Sequence, residues 1–107
     1  WKIADVMAAL PPQTQSGRLY HEPFTHGTMR LGLYAPRDHD PQEPHGQDEL
    51  YFVHAGTGCF ICGESTQSFE PGDALFVPAG AVHRFEDFSD DFAAWVVFWG
   101  PHGGESS

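Results

Sequence analysis

Past Pro12 the chain never again spaces its apolar residues three and four apart. Instead it breaks into short apolar runs at roughly 28–34, 50–55, 58–62, 67–69, 74–77, 82–86 and 92–99. The joins between them read AGTG, GES, EPGD, PAGA and DFSDD. Gly, Pro, Asp and Ser supply the dihedrals and side-chain acceptors that tight turns need. Many short strands at near-regular spacing, with no helices between them, predict an all-β antiparallel sandwich or barrel. The exception comes first. In residues 2–10, Ile3, Val6, Met7 and Leu10 fall at i, i+3, i+4 and i+7, one face of a short helix that Pro11 and Pro12 stop. No domain boundary, internal repeat or low-complexity tract interrupts residues 1–107, so a single domain is expected. The tail, GPHGGESS, is expected to be loose.

Charge narrows the partners. Five Lys+Arg stand against fifteen Asp+Glu, a net charge of −10. That field repels phosphate backbones and anionic lipid, so neither nucleic acid nor a membrane surface is an expected partner. No apolar run nears the ~18 residues of a spanning helix, and no basic-then-apolar stretch reads as a leader. The cytoplasm is the default location. Nine Phe in a chain that is 40% apolar describe a globular interior.

Residues 41–58, PQEPHGQDELYFVHAGTG, bring Glu43, His45 and Glu49 to the start of a strand. All three are odd-numbered. If the chain is extended here they share a face, with Tyr51 and Val53 continuing it. Pro44 favours extension of the residue before it. Neutral imidazole plus carboxylate is a ligand set for divalent Fe, Mn, Ni or Zn. The plainer alternative is a solvated acidic loop ahead of a strand, and H-x-x-x-E alone does not choose between them.

A second stretch adds to this. Residues 72–83 read GDALFVPAGAVH: Gly72, five residues, Pro78, one residue, Gly80, two residues, His83. The two stretches together resemble the two motifs of the cupin superfamily, in its small single-domain, conserved-barrel form. The first motif is similar over Glu43-Pro44-His45, three residues, Glu49, six residues, Gly56. The second matches through His83, with Asp87 where asparagine is usual, and fifteen residues separate Gly56 from Gly72. Two departures stand out. Arg37 occupies the place of the first motif's leading glycine, and Glu43 replaces its first histidine.

The resemblance, over about residues 28–99, implies a double-stranded β-helix, or jelly-roll barrel. It implies a divalent metal held by His45, Glu49 and His83, with Glu43 as a substituted fourth ligand. Two histidines and one carboxylate make a facial triad with open positions. A bound Glu43 would add charge and hardness and favour Fe or Mn over Zn; otherwise Glu43 points away or acts as an acid or base near the metal. The family spans dioxygenases, isomerases, lyases and non-catalytic binding or sensing modules, and fold analogy does not choose among them. The expected function is a metal-dependent, oxygenase-like enzyme acting on a small organic molecule, with the binding module as the alternative. A homodimer is expected from exposed edge strands and aromatic content.

Parity sorts the other residues. Phe85 lies two after His83 and shares its face, an apolar wall beside the metal. Tyr51, Tyr34 and Arg30 are further pocket-lining candidates; on an inner face Arg30 would pair a ligand carboxylate. His54 should face outward. His39 reads as a loop residue near the mouth, His21 and His26 flank the first strand, and His102 belongs to the tail. Cys59 and Cys62 form a C-x-x-C on a strand, where they point to opposite faces. They are read as small buried apolar residues rather than a redox pair.

Overall fold

The computed structural model describes residues 1–10, 19–37, 40 and 43–106. One helix, α1 (Ile3–Ala8), precedes eight strands: β1 (Tyr20–His26), β2 (Met29–Tyr34), β3 (Asp48–Ala55), β4 (Gly58–Cys62), β5 (Ser65–Phe69), β6 (Ala74–Val77), β7 (His83–Glu86) and β8 (Ala93–Trp99). Val6 of the predicted helical face is buried. Pro11 and Pro12, and with them the predicted helix stop, lie outside the described residues. Among the described residues no helix is long and apolar enough to cross a membrane.

The strands form two antiparallel sheets, ordered β1-β2-β8-β3-β6 and β5-β4-β7. They stay two separate ladders, so the barrel is a jelly-roll sandwich rather than one closed ring. Alternation sets what each strand gives the interior. In β3, Glu49, Tyr51 and Val53 are buried, whereas Phe52 and His54, which alternate with them, are exposed. Val77 and Leu75 of β6 and Phe98, Val96 and Ala94 of β8 join them from the larger sheet; Phe60, Phe69 and Phe85 come from the smaller. Contacts between rings lock the sheets together: Tyr51 meets Phe85 edge-on with centroids 5.0 Å apart, and Phe60 lies 5.0 Å from Phe85. Such pairs add about 0.5–1.5 kcal/mol each beyond burial.

β1 departs from the sequence expectation. Its sequence, YHEPFTH, is polar and carries Pro23, which argues against a strand. It forms at the sheet edge, paired with β2, with an irregular register between His21 and Phe24. An edge position tolerates the missing proline N–H, and a bulge absorbs the extra residue.

The tail is also ordered beyond expectation. Gly103 N–H donates to the Gly46 carbonyl at 2.7 Å, and Glu105 N–H donates to Asp48 Oδ2 at 3.0 Å. The segment after β8 is thereby strapped across the start of β3. His102, expected to lie in a loose tail, packs its ring against Gly46.

Candidate metal centre

Three side chains from the two sheets converge in the interior. Glu49 stands on the inner face of β3, His45 just before it, and His83 opens β7. Their ligand atoms all lie within 4.8 Å of one another, a group that could hold a metal ion. His83 Nε2 is 2.9 Å from Glu49 Oε1, and His45 Nε2 is 3.8 Å from Glu49 Oε2. Ligands about 2.0–2.2 Å from a common ion stand about 3–4 Å apart, so these spacings fit a coordination sphere.

Backbone bonds between the two motifs create this convergence. Pro78–Ala81 is a tight turn closed by Ala81 N–H to the Pro78 carbonyl at 3.1 Å. Gly80, at its third position, has φ +79°, which glycine adopts without strain. Gly80 N–H donates to the His45 carbonyl at 2.8 Å. Ala79 N–H donates to Asp48 Oδ1 at 2.9 Å. The turn that precedes His83 is therefore tied to the ligand His45 itself and to Asp48, the neighbour of the ligand Glu49. Asp87 has φ +52°, a left-handed conformation that Asn and Asp tolerate better than most residues.

The donor chemistry supports a cation. His83 Nδ1 lies 2.9 Å from the Ala81 carbonyl, which can only accept, so Nδ1 carries a proton, and in the neutral ring Nε2 is the nitrogen that offers a lone pair inward. Among the described residues neither buried oxygen of Glu49 has a hydrogen-bond donor, and Oε1 stands 2.9 Å from His83 Nε2. A carboxylate this buried costs several kcal/mol unless a positive charge meets it. Burial alone would push the His83 imidazole down. The Glu49 carboxylate, the Ala81 carbonyl and the Asp40 charge outweigh it and raise the pKa.

Sequence-derived candidates divide. His45, Glu49 and His83 assemble. Glu43 is exposed and stands outside the group; strand alternation starts only at Asp48, so parity does not govern its direction. The shared face expected for all three odd-numbered residues does not extend to it. Tyr51 faces inward, its hydroxyl 3.4 Å from His83 Nε2. Phe85 faces inward too, but its ring contacts are with Tyr34, Tyr51, Phe60, Phe69 and Phe92. It floors the site rather than walling it. The rings flanking the imidazoles are Phe98, 5.1 Å from His45, and Phe60, 6.5 Å from His83. Parity in β4 and β8 could have marked both. Tyr34 is buried, and its hydroxyl donates to Asp40 Oδ1; Asp40 Oδ2 accepts the Phe85 N–H at 2.8 Å. Arg30, undecided by parity, is on the inner face, its Cζ 4.4 Å above the Phe98 ring.

A family model described as Cupin domain matches residues 30–99. The chain belongs to the cupin family. An uncharacterized protein of Streptomyces coelicolor, SCO3923, is 41% identical to this cupin over 75 residues, covering 68% of this chain and 71% of that one. Among solved structures, KdgF from Halomonas sp. superposes with a TM-score of 0.73 at 14% identity over 87% of this chain and 88% of that chain. The DMSP lyase DddQ from Ruegeria pomeroyi does so with a TM-score of 0.72 at 23% identity. This cupin, covered over 85%, spans about half (51%) of that chain. These likenesses show the fold.

Among the described residues the other histidines lie outside the group. His54 is exposed, as alternation requires, His26 is exposed on β1, and His21 is half-buried. His39 lies outside the described residues. Cys59 and Cys62 are free and half-buried rather than fully buried. Cys62, directly opposite His83 across β4 and β7, has its thiol pushed up by burial and by the Glu49 charge.

Proposed function

We propose that this cupin is a metal-dependent enzyme that acts on a small organic molecule at the His45–Glu49–His83 centre, with oxygenase chemistry first. The supporting observation is the buried, donor-free Glu49 carboxylate facing two imidazole nitrogens. Two neutral nitrogens and one hard oxygen suit Fe(II) or Mn(II) and leave coordination positions open. A bound ion of this kind would supply Lewis acidity toward a substrate oxygen and, for iron, reactivity toward O₂.

The chain's own residues do the rest. Ala81 fixes the orientation of the His83 ring. Phe98 beside His45 and Phe60 beside His83 give the imidazoles apolar neighbours. Tyr51 places a phenol 3.4 Å from His83 Nε2, where it can hold or give a proton to substrate. That hydroxyl favours a second reading, a lyase or isomerase using acid–base chemistry. Glu43, exposed at the approach, is left to act from outside the coordination group.

The test is elemental analysis of wild type and His83→Ala, followed by oxygen uptake and product analysis with phenolic, thiol and diketone compounds. Oxygen consumed in step with product supports the oxygenase. Products formed without oxygen uptake support the lyase or isomerase. Compounds that raise the melting temperature without turnover leave a binding or sensing module. A wild type that takes up no metal on reconstitution removes both enzyme readings.

A homodimer is part of the proposal. The outer face of the larger sheet carries Leu50, Phe52, Phe76, Trp95, Val97 and Trp99, with Phe52 42% and Phe76 53% exposed. In a chain of net charge −10, this uncharged face is where two copies can approach without repulsion.

A further inference from the structure

The inner face carries a second polar cluster beside the metal-binding group. The Tyr20 hydroxyl donates to Glu22 Oε1 at 2.8 Å, and Arg30 Nε donates to the same oxygen at 2.9 Å. Arg30 Nη1 donates to Gln47 Oε1 at 3.1 Å. Gln47, two residues after His45, is itself held through Nε2 by the Thr28 and Gly100 carbonyls at 2.8 and 3.0 Å. Glu22, two residues after Tyr20, shares its face, and the irregular register between His21 and Phe24 falls at Glu22 and Pro23. Gly32 makes room for it: a Cβ there would stand 2.4 Å from the Tyr20 hydroxyl oxygen.

Strand register places the cluster relative to the metal. Arg30 is directly opposite Phe98, and Phe98 directly opposite Glu49. The three form one row across the sheet, so Arg30 and Glu49 have Cα atoms about 10 Å apart. Between them the Phe98 ring carries the guanidinium on its face and His45 near its edge. Arg30 Nη2 has no hydrogen-bond partner among the described residues, and the side chain is 41% exposed. The other described arginines are committed elsewhere. Arg37 donates to the Ala35, Pro36 and Phe92 carbonyls, and Arg84 pairs with Glu86 on the exposed side of β7.

We infer that Arg30 binds the carboxylate of the substrate, so that this cupin acts on a small organic acid bridging Arg30 and the metal centre. The inference rests on the metal-enzyme reading for the second end of that bridge. Glu22 fixes the plane of the guanidinium and leaves the Nη2 edge for the ligand. It also tempers the positive charge, so an incoming carboxylate binds against its repulsion.

The experiment titrates succinate, 2-oxobutyrate and neutral succinamide into Mn(II)-loaded and metal-free protein, by calorimetry and thermal shift. The acids should bind more tightly than the diamide. Arg30→Met should weaken the acids about tenfold to a hundredfold and leave the diamide unchanged. Arg30→Lys should recover part of the loss, because a point charge lacks the fork. Glu22→Gln should tighten the acids. His83→Ala should lose metal yet keep the preference for acid over amide. Acids that bind no better than the diamide, or not at all, overturn the inference, as does a folded Arg30→Met that binds them like wild type. Should Arg30→Met not fold, a Glu22→Gln that fails to tighten the acids overturns it. Acid binding by a wild type that takes up no metal defeats the enzyme reading alone.

Discussion

His83 Nε2 stands 2.9 Å from Glu49 Oε1, with both side chains fully buried. Because Nδ1–H donates to the Ala81 carbonyl, a neutral ring faces the carboxylate with the Nε2 lone pair. Two acceptors at that separation need a cation between them. A proton can serve by making an imidazolium; a divalent ion serves both and engages His45 as well.

Glu49→Gln separates charge from shape. The metal-free variant should melt no lower than metal-free wild type, since it removes a buried charge. It should bind no stoichiometric metal. Wild type at about 100 times the dissociation constant of Mn(II) should gain about 2.7 kcal/mol, read as a rise in melting temperature absent from the variant. A metal-free variant far less stable than wild type would falsify this account of the site.

Asp48 sets an acid limit on stability. The Glu105 and Ala79 N–H groups hold its carboxyl below the usual range. A folded-state pKa below the unfolded value gives stability that is present above about pH 4 and lost as pH falls through the folded pKa. Asp48→Asn should therefore be less stable than wild type at pH 7, with the gap closing below pH 4 in urea titrations. A gap unchanged between pH 7 and pH 3 contradicts the linkage.

Phe85 is the keystone of the aromatic interior, touching five rings. Phe85→Ala should cost about 3–5 kcal/mol, measured by denaturant unfolding. It should change metal stoichiometry little in the fraction that stays folded, because its contacts lie beneath the centre.

Phe76 lies on the exposed outer face, its ring 6.2 Å from Trp99. Phe76→Glu should turn a dimer into a monomer in light scattering and leave metal content unchanged. A wild type that is monomeric at high concentration ends the dimer proposal.

Much of this was legible in the chain. Ala74–Val77 and Gly58–Cys62 form at the bounds their turn residues set. Local chemistry settles such elements, since glycine and proline dihedrals and strand alternation are properties of neighbours in sequence. The spacing from Gly72 to His83 likewise carried the turn that delivers the second imidazole.

What sequence could not decide is which distant groups meet. Glu43 has the same parity as Glu49 but is exposed, since strand alternation, which parity assumes, begins only at Asp48. Arg30 has no readable face until β8 lays Phe98 beside it. Tyr20 and Glu22 sit on a proline-bearing strand that exists because β2 offers an edge. The tail looks loose by composition, yet Gly46 and Asp48 hold it in place. Each of these depends on partners many residues away, and long-range packing selects them only when the two sheets close on each other.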